Sequence, residues 1–162
     1  MKRAFLICII VLILSNLMCL SDQDIKENKF NLDEIKQLLK EKPEYLNKDI
    51  HRGNTLIMYA LDSKQFDIVR YLIDKGADIN IKSQDFVTPV MYACLYGDKE
   101  LFDYMILKKA ALGDLNDPYN GTFNYAVLGE NREIMDYLLK AGFDINRPTA
   151  SGFTPLIRAV WS

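Results

Sequence analysis

Few side chains in this sequence could act as nucleophiles, bases or metal ligands, and they are far apart. His51 is the single histidine, so one chain cannot assemble a His-Cys dyad or a metal site with several histidines. Cys94 falls at a small-residue position of a helical segment, where a buried and unreactive thiol is the ordinary interpretation. These two residues therefore predict neither a catalytic centre nor a metal centre.

The carboxylates and glycines do not suggest a reaction site either. Asp74, Asp78 and Asp85 are scattered over loop segments, where they are expected to cap helices or keep the surface polar. Gly76 and Gly142 are separated by whole structural units, so they do not form a glycine-rich loop for a phosphate. The sequence therefore predicts a protein that is not an enzyme and that binds no cofactor.

The charge balance limits the class of partner. The chain has 20 basic and 22 acidic residues, and it has no run or face of Lys and Arg of the kind that follows a phosphate backbone. A nucleic-acid partner is therefore not expected. Removing residues 1–21 takes away Lys2 and Arg3 and no acidic residue, which changes the formal net charge from −2 to −4.

The N-terminal segment predicts export. Lys2 and Arg3 are followed by an apolar run over residues 4–14, which resumes at residues 17–20. Cleavage after Ser21 would place two small residues, Cys19 and Ser21, where a signal peptidase requires them. Residues 1–21 are therefore predicted to be a signal peptide, and the mature protein is expected in the periplasm or outside the cell.

Two alternatives to cleavage remain open. Residues 4–20 are 17 residues long, at the short limit for a tilted membrane helix, so the segment could be retained as an anchor. Lipidation of Cys19 is disfavoured because Asn16 and Met18 occupy positions where a lipoprotein signal has Leu and a small residue. In the mature part Cys94 has no second cysteine to pair with, which excludes a disulfide framework.

The elements that would position any functional surface repeat every 33 residues. The segments 54–60 and 87–93 align at this shift, and 153–159 falls on the same grid, as do four alanines: Ala60, Ala93, Ala126 and Ala159. In the second half of each unit, apolar residues at i, i+4 and i+5 precede a glycine, as at Ile68, Leu72 and Ile73 before Gly76. Each unit is therefore predicted to be a short helix, a tight link, a longer helix and a loop.

These motifs resemble the ankyrin repeat. The resemblance rests on Thr88-Pro89-Val90-Met91, on Gly76-Ala77-Asp78-Ile79-Asn80 and on its second copy, Gly142-Phe143-Asp144-Ile145-Asn146. It implies an all-α ankyrin-repeat solenoid. The Lys-, Ile- and Asn-rich composition fits a low-GC bacterial source, so an exported bacterial member of the family is expected.

The grid also predicts the domain organisation. A linker over 22–29 precedes an N-terminal capping helix pair, followed by three repeats and an incomplete one: cap 30–49, repeats 50–82, 83–115 and 116–148, and partial repeat 149–162. Lys109, Ala111 and Gly113 replace the expected Gly, Asp and Asn, which predicts an irregular loop there. Gly121 stands where Thr is expected, so the first helix of the third repeat should begin about one residue differently.

The last predicted helix has no following partner helix within the sequence. Apolar surface from Leu138, Val160 and Trp161 is therefore expected to be uncovered, which indicates either a fragment of a longer protein or a contact surface. The fragment is favoured because terminal caps are a general requirement of such arrays. The protein is expected to be monomeric unless this end self-associates.

The resemblance implies that a protein partner binds the concave face, which is formed by the loop tips and the first helices of the repeats. Carried onto this chain, the predicted contact residues are His51, Arg52, Asn54, Asp62, Ser63, Gln84, Asp85, Val87, Leu95, Tyr96, Asp117, Pro118, Asn120, Leu128, Ser151, Phe153 and Trp161. Arg52, Tyr96, Phe153 and Trp161 are the expected anchors, because binding energy concentrates in aromatic and Arg side chains. Tyr59, Tyr92 and Tyr125 recur on the grid and are interpreted as part of the helix layer.

The predicted function is an exported scaffold for protein-protein interaction. One alternative is a regulatory or inhibitory subunit of an exported enzyme, which would copurify with that enzyme in fixed ratio. Another is a membrane-tethered scaffold, which differs only in whether residues 1–21 are retained.

Overall fold

The computed structural model describes residues 20–27, 30–115, 121–149 and 151–161, without the side chains of Arg158 and Trp161. Within these ranges the chain forms nine α-helices, one 3-10 helix over Pro43–Leu46 and no strand. The helices are α1 (Asp22–Lys26), α2 (Leu32–Glu41), α3 (Leu56–Asp62), α4 (Phe66–Asp74), α5 (Pro89–Leu95), α6 (Lys99–Leu107), α7 (Gly121–Leu128), α8 (Arg132–Lys140) and α9 (Pro155–Trp161). This confirms the all-α repeat architecture.

The helices form two layers. Helices α1, α3, α5, α7 and α9 pack in sequence as an inner layer, and α2 with α4 and α6 with α8 pack behind them. Ala60, Ala93 and Ala126 are fully buried, so neighbouring inner helices can approach closely at each step of the grid. None of the helices in the described ranges is long and apolar enough to cross a lipid bilayer.

The N-terminal boundary differs from the prediction, because residues 22–26 form a helix and not a linker. Ser21 and Asp24 make a reciprocal capping box at the start of α1, which satisfies backbone N–H groups that a helix end leaves free. Ile25 is fully buried in the common core. The cap therefore begins at Asp22, eight residues before the predicted boundary at residue 30, and its helix pair is α1 and α2.

Contacts outside α1 fix this cap. The Tyr45 hydroxyl donates to Asp22 Oδ1 at 2.7 Å, and Lys48 Nζ lies 3.0 Å from the same oxygen. Lys48 Nζ also lies 3.8 Å from the centroid of the Tyr45 ring. The single apolar residue Ile25 gave too little periodicity to reveal α1 from the sequence, since the residues around it are polar.

Loop asparagines link successive repeats. Asn47 Oδ1 accepts a hydrogen bond from Asp78 N at 2.8 Å, and Asn80 Oδ1 accepts the equivalent bond from Ala111 N at 2.7 Å. Gly113 occupies the next position on the grid and has no side chain to continue the series. Its φ is +91°, a left-handed conformation that glycine adopts without steric cost. The series of side-chain links between loops therefore does not continue through Gly113.

The turns after α5 and α7 touch backbone to backbone. A Cβ atom on Gly97 would lie 2.5 Å from the Gly129 carbonyl oxygen, and one on Gly129 would lie 1.9 Å from the Cys94 carbonyl oxygen. Both positions therefore require glycine for close packing. The described part of helix α7 starts at Gly121, and the predicted shift of its first residue stays a prediction because residues 116–120 lie outside the described residues.

Helix α9 carries exposed apolar side chains. Leu156 is 72% exposed and Val160 is 75% exposed, whereas their grid equivalents in α5, Val90 and Cys94, are fully buried. The prediction of uncovered apolar surface is confirmed for Val160. It is wrong for Leu138, which is fully buried because its side chain turns into the core cluster.

Candidate protein-interaction surface

The loop tips of the concave face are hairpin turns held by the same hydrogen bond in each described copy. Ile50 N donates to Asn54 O at 2.9 Å, Ser83 N donates to Val87 O at 3.0 Å, and Thr149 N donates to Phe153 O at 2.9 Å. These pairs are related by the 33-residue period. The tips are therefore built by the backbone, which leaves their outer side chains available for contacts.

The first two tips are also joined to each other. Gln84 N donates to Arg52 O at 3.0 Å, and Arg52 Nε donates to Gln84 Oε1 at 3.2 Å. His51, Arg52, Gln84 and Asp85 are exposed, while Asn54 and Val87 are half-buried. The structure thus brings predicted residues of two repeats into one continuous edge.

Phe86 projects from the second tip in a conformation that favours glycine. Its φ is +60° and its side chain is 67% exposed. The grid-equivalent residues are Gly53 and Gly152, with φ values of +79°. A bulky residue in the left-handed region costs roughly 1–2 kcal/mol, so an aromatic ring is presented to solvent at a cost in stability.

A groove lies between the second and fourth tips and the inner helices α5 and α7. Its volume is about 490 Å³. The described residues that line it combine aromatic, apolar and uncharged polar groups with one carboxylate, that of Asp85: Gln84, Asp85, Phe86, Val87, Met91, Gly121, Asn124, Tyr125, Thr149, Ser151 and Phe153. A concave site that combines aromatic rings with placed polar groups can receive a side chain of a partner.

A smaller hollow of about 150 Å³ lies one repeat earlier, between α3 and α5. It is lined by Asn54, Met58, Tyr59, Asp62 and Tyr92. Tyr59, Tyr92 and Tyr125 are half-buried and pack against the core, as the sequence predicted for a helix layer. Their exposed surface also lines the groove, in the case of Tyr125, or the hollow, in the case of Tyr59 and Tyr92. These tyrosines therefore belong both to the helix layer and to the candidate binding surface.

Tyr96 belongs to an aromatic cluster at the end of α5. Its ring centroid is 6.2 Å from that of Phe66 and 6.0 Å from that of Tyr92. Lys64 Nζ lies 4.7 Å from the centroid of the Tyr96 ring, which is within cation-π range. The ring face of this predicted anchor therefore already contacts a cation of the same chain.

The remaining predicted residues are dispersed. Asp62 is exposed and Ser63, Leu95 and Leu128 are half-buried at the ends of the inner helices, and the Ser63 hydroxyl donates to Tyr59 O at 2.7 Å. Ser151 and Phe153 are exposed and line the groove. Asp117, Pro118, Asn120 and the Trp161 side chain lie outside the described residues.

Sequence reasoning missed several lining residues of the groove: Phe86, Met91, Gly121, Asn124, Tyr125 and Thr149. Two signals were present. Phe86 replaces a glycine of the grid, and Asn124 occupies a position where Met58 and Met91 are apolar. Asn124 is nevertheless buried, so a polar group has been introduced at the floor of the groove.

The tyrosines and the cysteine near this face are neutral at physiological pH. Burial raises the pKa of Tyr92 to about 12, and burial likewise raises the pKa values of Tyr59 and Tyr96. Burial also raises the pKa of the Cys94 thiol to about 12, and a protonated thiol is a poor nucleophile. Among the described residues there is no group of three His, Cys, Asp or Glu side chains that could hold a metal ion. The neutral tyrosines of this face therefore offer ring faces and hydroxyl groups to a partner.

Comparisons with known proteins agree with this architecture. A family model for ankyrin repeats in three copies matches residues 25–83 and 90–162. The chain is also 32% identical over 85 residues to an ankyrin repeat protein of Rickettsia bellii (strain RML369-C). That alignment covers 49% of this chain and 51% of the relative, so the chain spans about half the length of the curated relative that it matches. Because the family model covers most of its residues, this chain belongs to the ankyrin-repeat family.

Proposed function

We propose that this protein is an exported scaffold that binds another protein through the concave face of its ankyrin repeats. Ankyrin repeats are interaction modules, and the observation that carries the proposal for this chain is the groove between α5 and α7. It is rimmed by two loop tips and contains two exposed aromatic side chains, Phe86 and Phe153. Aromatic anchors in a concave pocket supply most of the energy of many protein interfaces.

The loop tips are ordered before a partner arrives. Their backbone hydrogen bonds and the links between Arg52 and Gln84 hold the edge of the groove in place. Association then requires little additional ordering of the chain, which favours affinity. This preorganisation supports a binding role for the concave face.

The export part of the proposal rests on the apolar segment before α1. Residues 1–19 lie outside the described residues, but the junction is visible: Leu20 packs against the core and Ser21 caps α1. Cleavage after Ser21 would remove both contacts. The membrane-tethered alternative, which retains residues 1–21, would keep these contacts.

Mass spectrometry of the protein from its native host tests export and retention together. A mass beginning at Asp22 in the periplasmic or external fraction supports a cleaved, exported scaffold. A mass beginning at Met1 in the membrane fraction supports the tethered form. A full-length chain in the cytoplasm contradicts both.

Binding is tested by comparing two single substitutions in the full chain. Phe153→Ala removes an aromatic side chain from the groove, and Leu107→Ala removes a side chain that is 77% exposed at the end of the outer helix α6. We expect a partner captured from the host by the wild type and by Leu107→Ala to be lost from Phe153→Ala. Equal capture by all three proteins would contradict binding at the groove. A stoichiometric enzyme among the captured proteins would instead indicate the regulatory subunit.

A further inference from the structure

We propose that the groove between α5 and α7 receives a basic side chain, Lys or Arg, from an extended segment of the partner, and that the adjacent hollow between α3 and α5 receives a second one. This inference rests on the proposed function and names the chemistry of the partner. It follows from the charges and aromatic rings on the concave face and from the spacing of the two sites.

The groove has the composition of a cation site. Asp85 is the one charged residue among its described lining residues, and the rings of Phe86, Tyr125 and Phe153 line the same groove. A guanidinium or ammonium group is attracted both to a carboxylate and to the face of an aromatic ring. An acidic or purely apolar side chain would use only part of this lining.

The smaller hollow repeats this chemistry one unit earlier. Asp62 supplies the carboxylate, and Tyr59 and Tyr92 supply the rings. Burial is the largest cause of the raised pKa of Tyr92, and the charges of Asp62 and Asp85 raise it further. Both carboxylates therefore lie within electrostatic reach of the ring that separates the two sites.

Two basic residues near the sites, Arg52 and Lys64, contact other groups of the chain. Arg52 Nε donates to Gln84 Oε1 at the outer edge of the tips, and Lys64 Nζ lies over the Tyr96 ring. Burial is the largest cause of the raised pKa of Tyr59, a hydrogen bond with Asn54 lowers that pKa, and the negative charge of Asp49 raises it. Asp85 and Asp62 are the charged residues among the described lining residues of the two sites, and these two carboxylates complement a positive segment.

The distance between the sites predicts the spacing of the two basic residues. The sites are one repeat apart, and neighbouring packed helices are separated by about 8–10 Å. A chain in the extended polyproline II conformation advances about 3.1 Å per residue and brings every third side chain back to the same side. Basic residues about three positions apart in the partner would therefore reach both sites.

The proposal is tested with a synthetic peptide that carries two arginines three positions apart, titrated into the isotope-labelled full chain and followed by NMR. We expect chemical-shift changes to concentrate at Asp85, Tyr125 and Phe153, and to diminish as salt is added, because exposed charges are screened. A peptide with glutamates in place of the arginines should cause no such changes.

Two matched variants separate the local charge from the general acidity of the protein. Asp85→Asn removes the carboxylate of the groove, and Asp136→Asn removes an exposed carboxylate of the outer helix α8. We expect the first to weaken peptide binding about fivefold and the second to leave it unchanged. Equal weakening by both variants would show general electrostatic attraction and would overturn the assignment of the site.

Failure of this inference can be distinguished from failure of the proposed binding role of the groove. If the arginine peptide causes no localised shifts while Phe153→Ala still abolishes capture of the host partner, the groove binds a partner of different chemistry and this inference is wrong. If Phe153→Ala also leaves capture unchanged, the binding role of the groove fails with it.

Discussion

Replacing Phe86 by glycine should make the protein more stable and a weaker binder. The left-handed backbone at Phe86, with φ of +60°, costs roughly 1–2 kcal/mol for a residue with a side chain. Glycine removes this strain but adds about 0.5–1 kcal/mol of chain entropy to be lost on folding. Since the ring is mostly exposed, little burial is lost, and the net gain should be about 0.5–1 kcal/mol.

Urea unfolding followed by circular dichroism measures this gain, and thermal unfolding should show a Tm increase of roughly 1–4 °C. The matched control is Lys109→Gly. Lys109 has φ of +67° and occupies the grid position of Gly76 and Gly142, at the end of α6 and away from the groove. It should be stabilised by a similar amount.

Binding separates the two variants. Partner capture should weaken at least fivefold for Phe86→Gly, because an aromatic anchor is worth about 1 kcal/mol or more, and should be unchanged for Lys109→Gly. If Phe86→Gly is less stable than the wild type, the ring holds the loop together through contacts that outweigh the backbone strain. The interpretation of Phe86 as a residue kept for binding would then be refuted.

Three further substitutions test the packing and the cap. Gly129→Ala should lower the free energy of unfolding by about 3 kcal/mol or more, because its Cβ would collide with the Cys94 carbonyl oxygen; wild-type stability in urea would contradict this close contact. Gln65→Asn should stabilise α4 by about 0.5–1 kcal/mol, because Gln65 makes no side-chain cap whereas Asn131 caps α8; an unchanged Tm would argue against it. Asp22→Asn should make the free energy of unfolding depend less on pH under acidic conditions. The hydrogen bond from Tyr45, followed by Lys48, lowers the pKa of Asp22 below 3.8, so its stabilising effect is present above about pH 4 and is lost on acidification. If the free energy of unfolding of Asp22→Asn falls on acidification as steeply as that of the wild type, this interpretation of Asp22 is refuted.

The repeat was predictable from the sequence because the same helix-helix contact recurs in each unit and requires the same type of residue. Ala60, Ala93 and Ala126 are buried where neighbouring inner helices meet, and the same small residue recurs at the same interval. Helix α1 escaped prediction because Ile25 is its only buried residue and a single apolar residue has no period. The exposure of Leu138 was predicted wrongly because position in the chain does not determine the direction of a side chain.

The groove was only partly predictable. The loop-tip residues Gln84, Asp85, Ser151 and Phe153 could be assigned from the period, since equivalent loops project from the same face. Its floor depends on where α7 starts and on Asn124, which is polar at an apolar grid position. The volume enclosed between elements two repeats apart is a property of their three-dimensional arrangement, which the sequence period does not specify.

The asparagine links between loops have a consequence for how this protein can evolve. Asn47 and Asn80 each bond the backbone of the following unit at the same position of the period. A duplication or deletion of 33 residues would therefore rejoin compatible surfaces wherever its endpoints fall within the regular part of the array. Lineages can change the number of repeats in a single genetic step, and the loop tips of the new array remain in register for selection to alter their side chains.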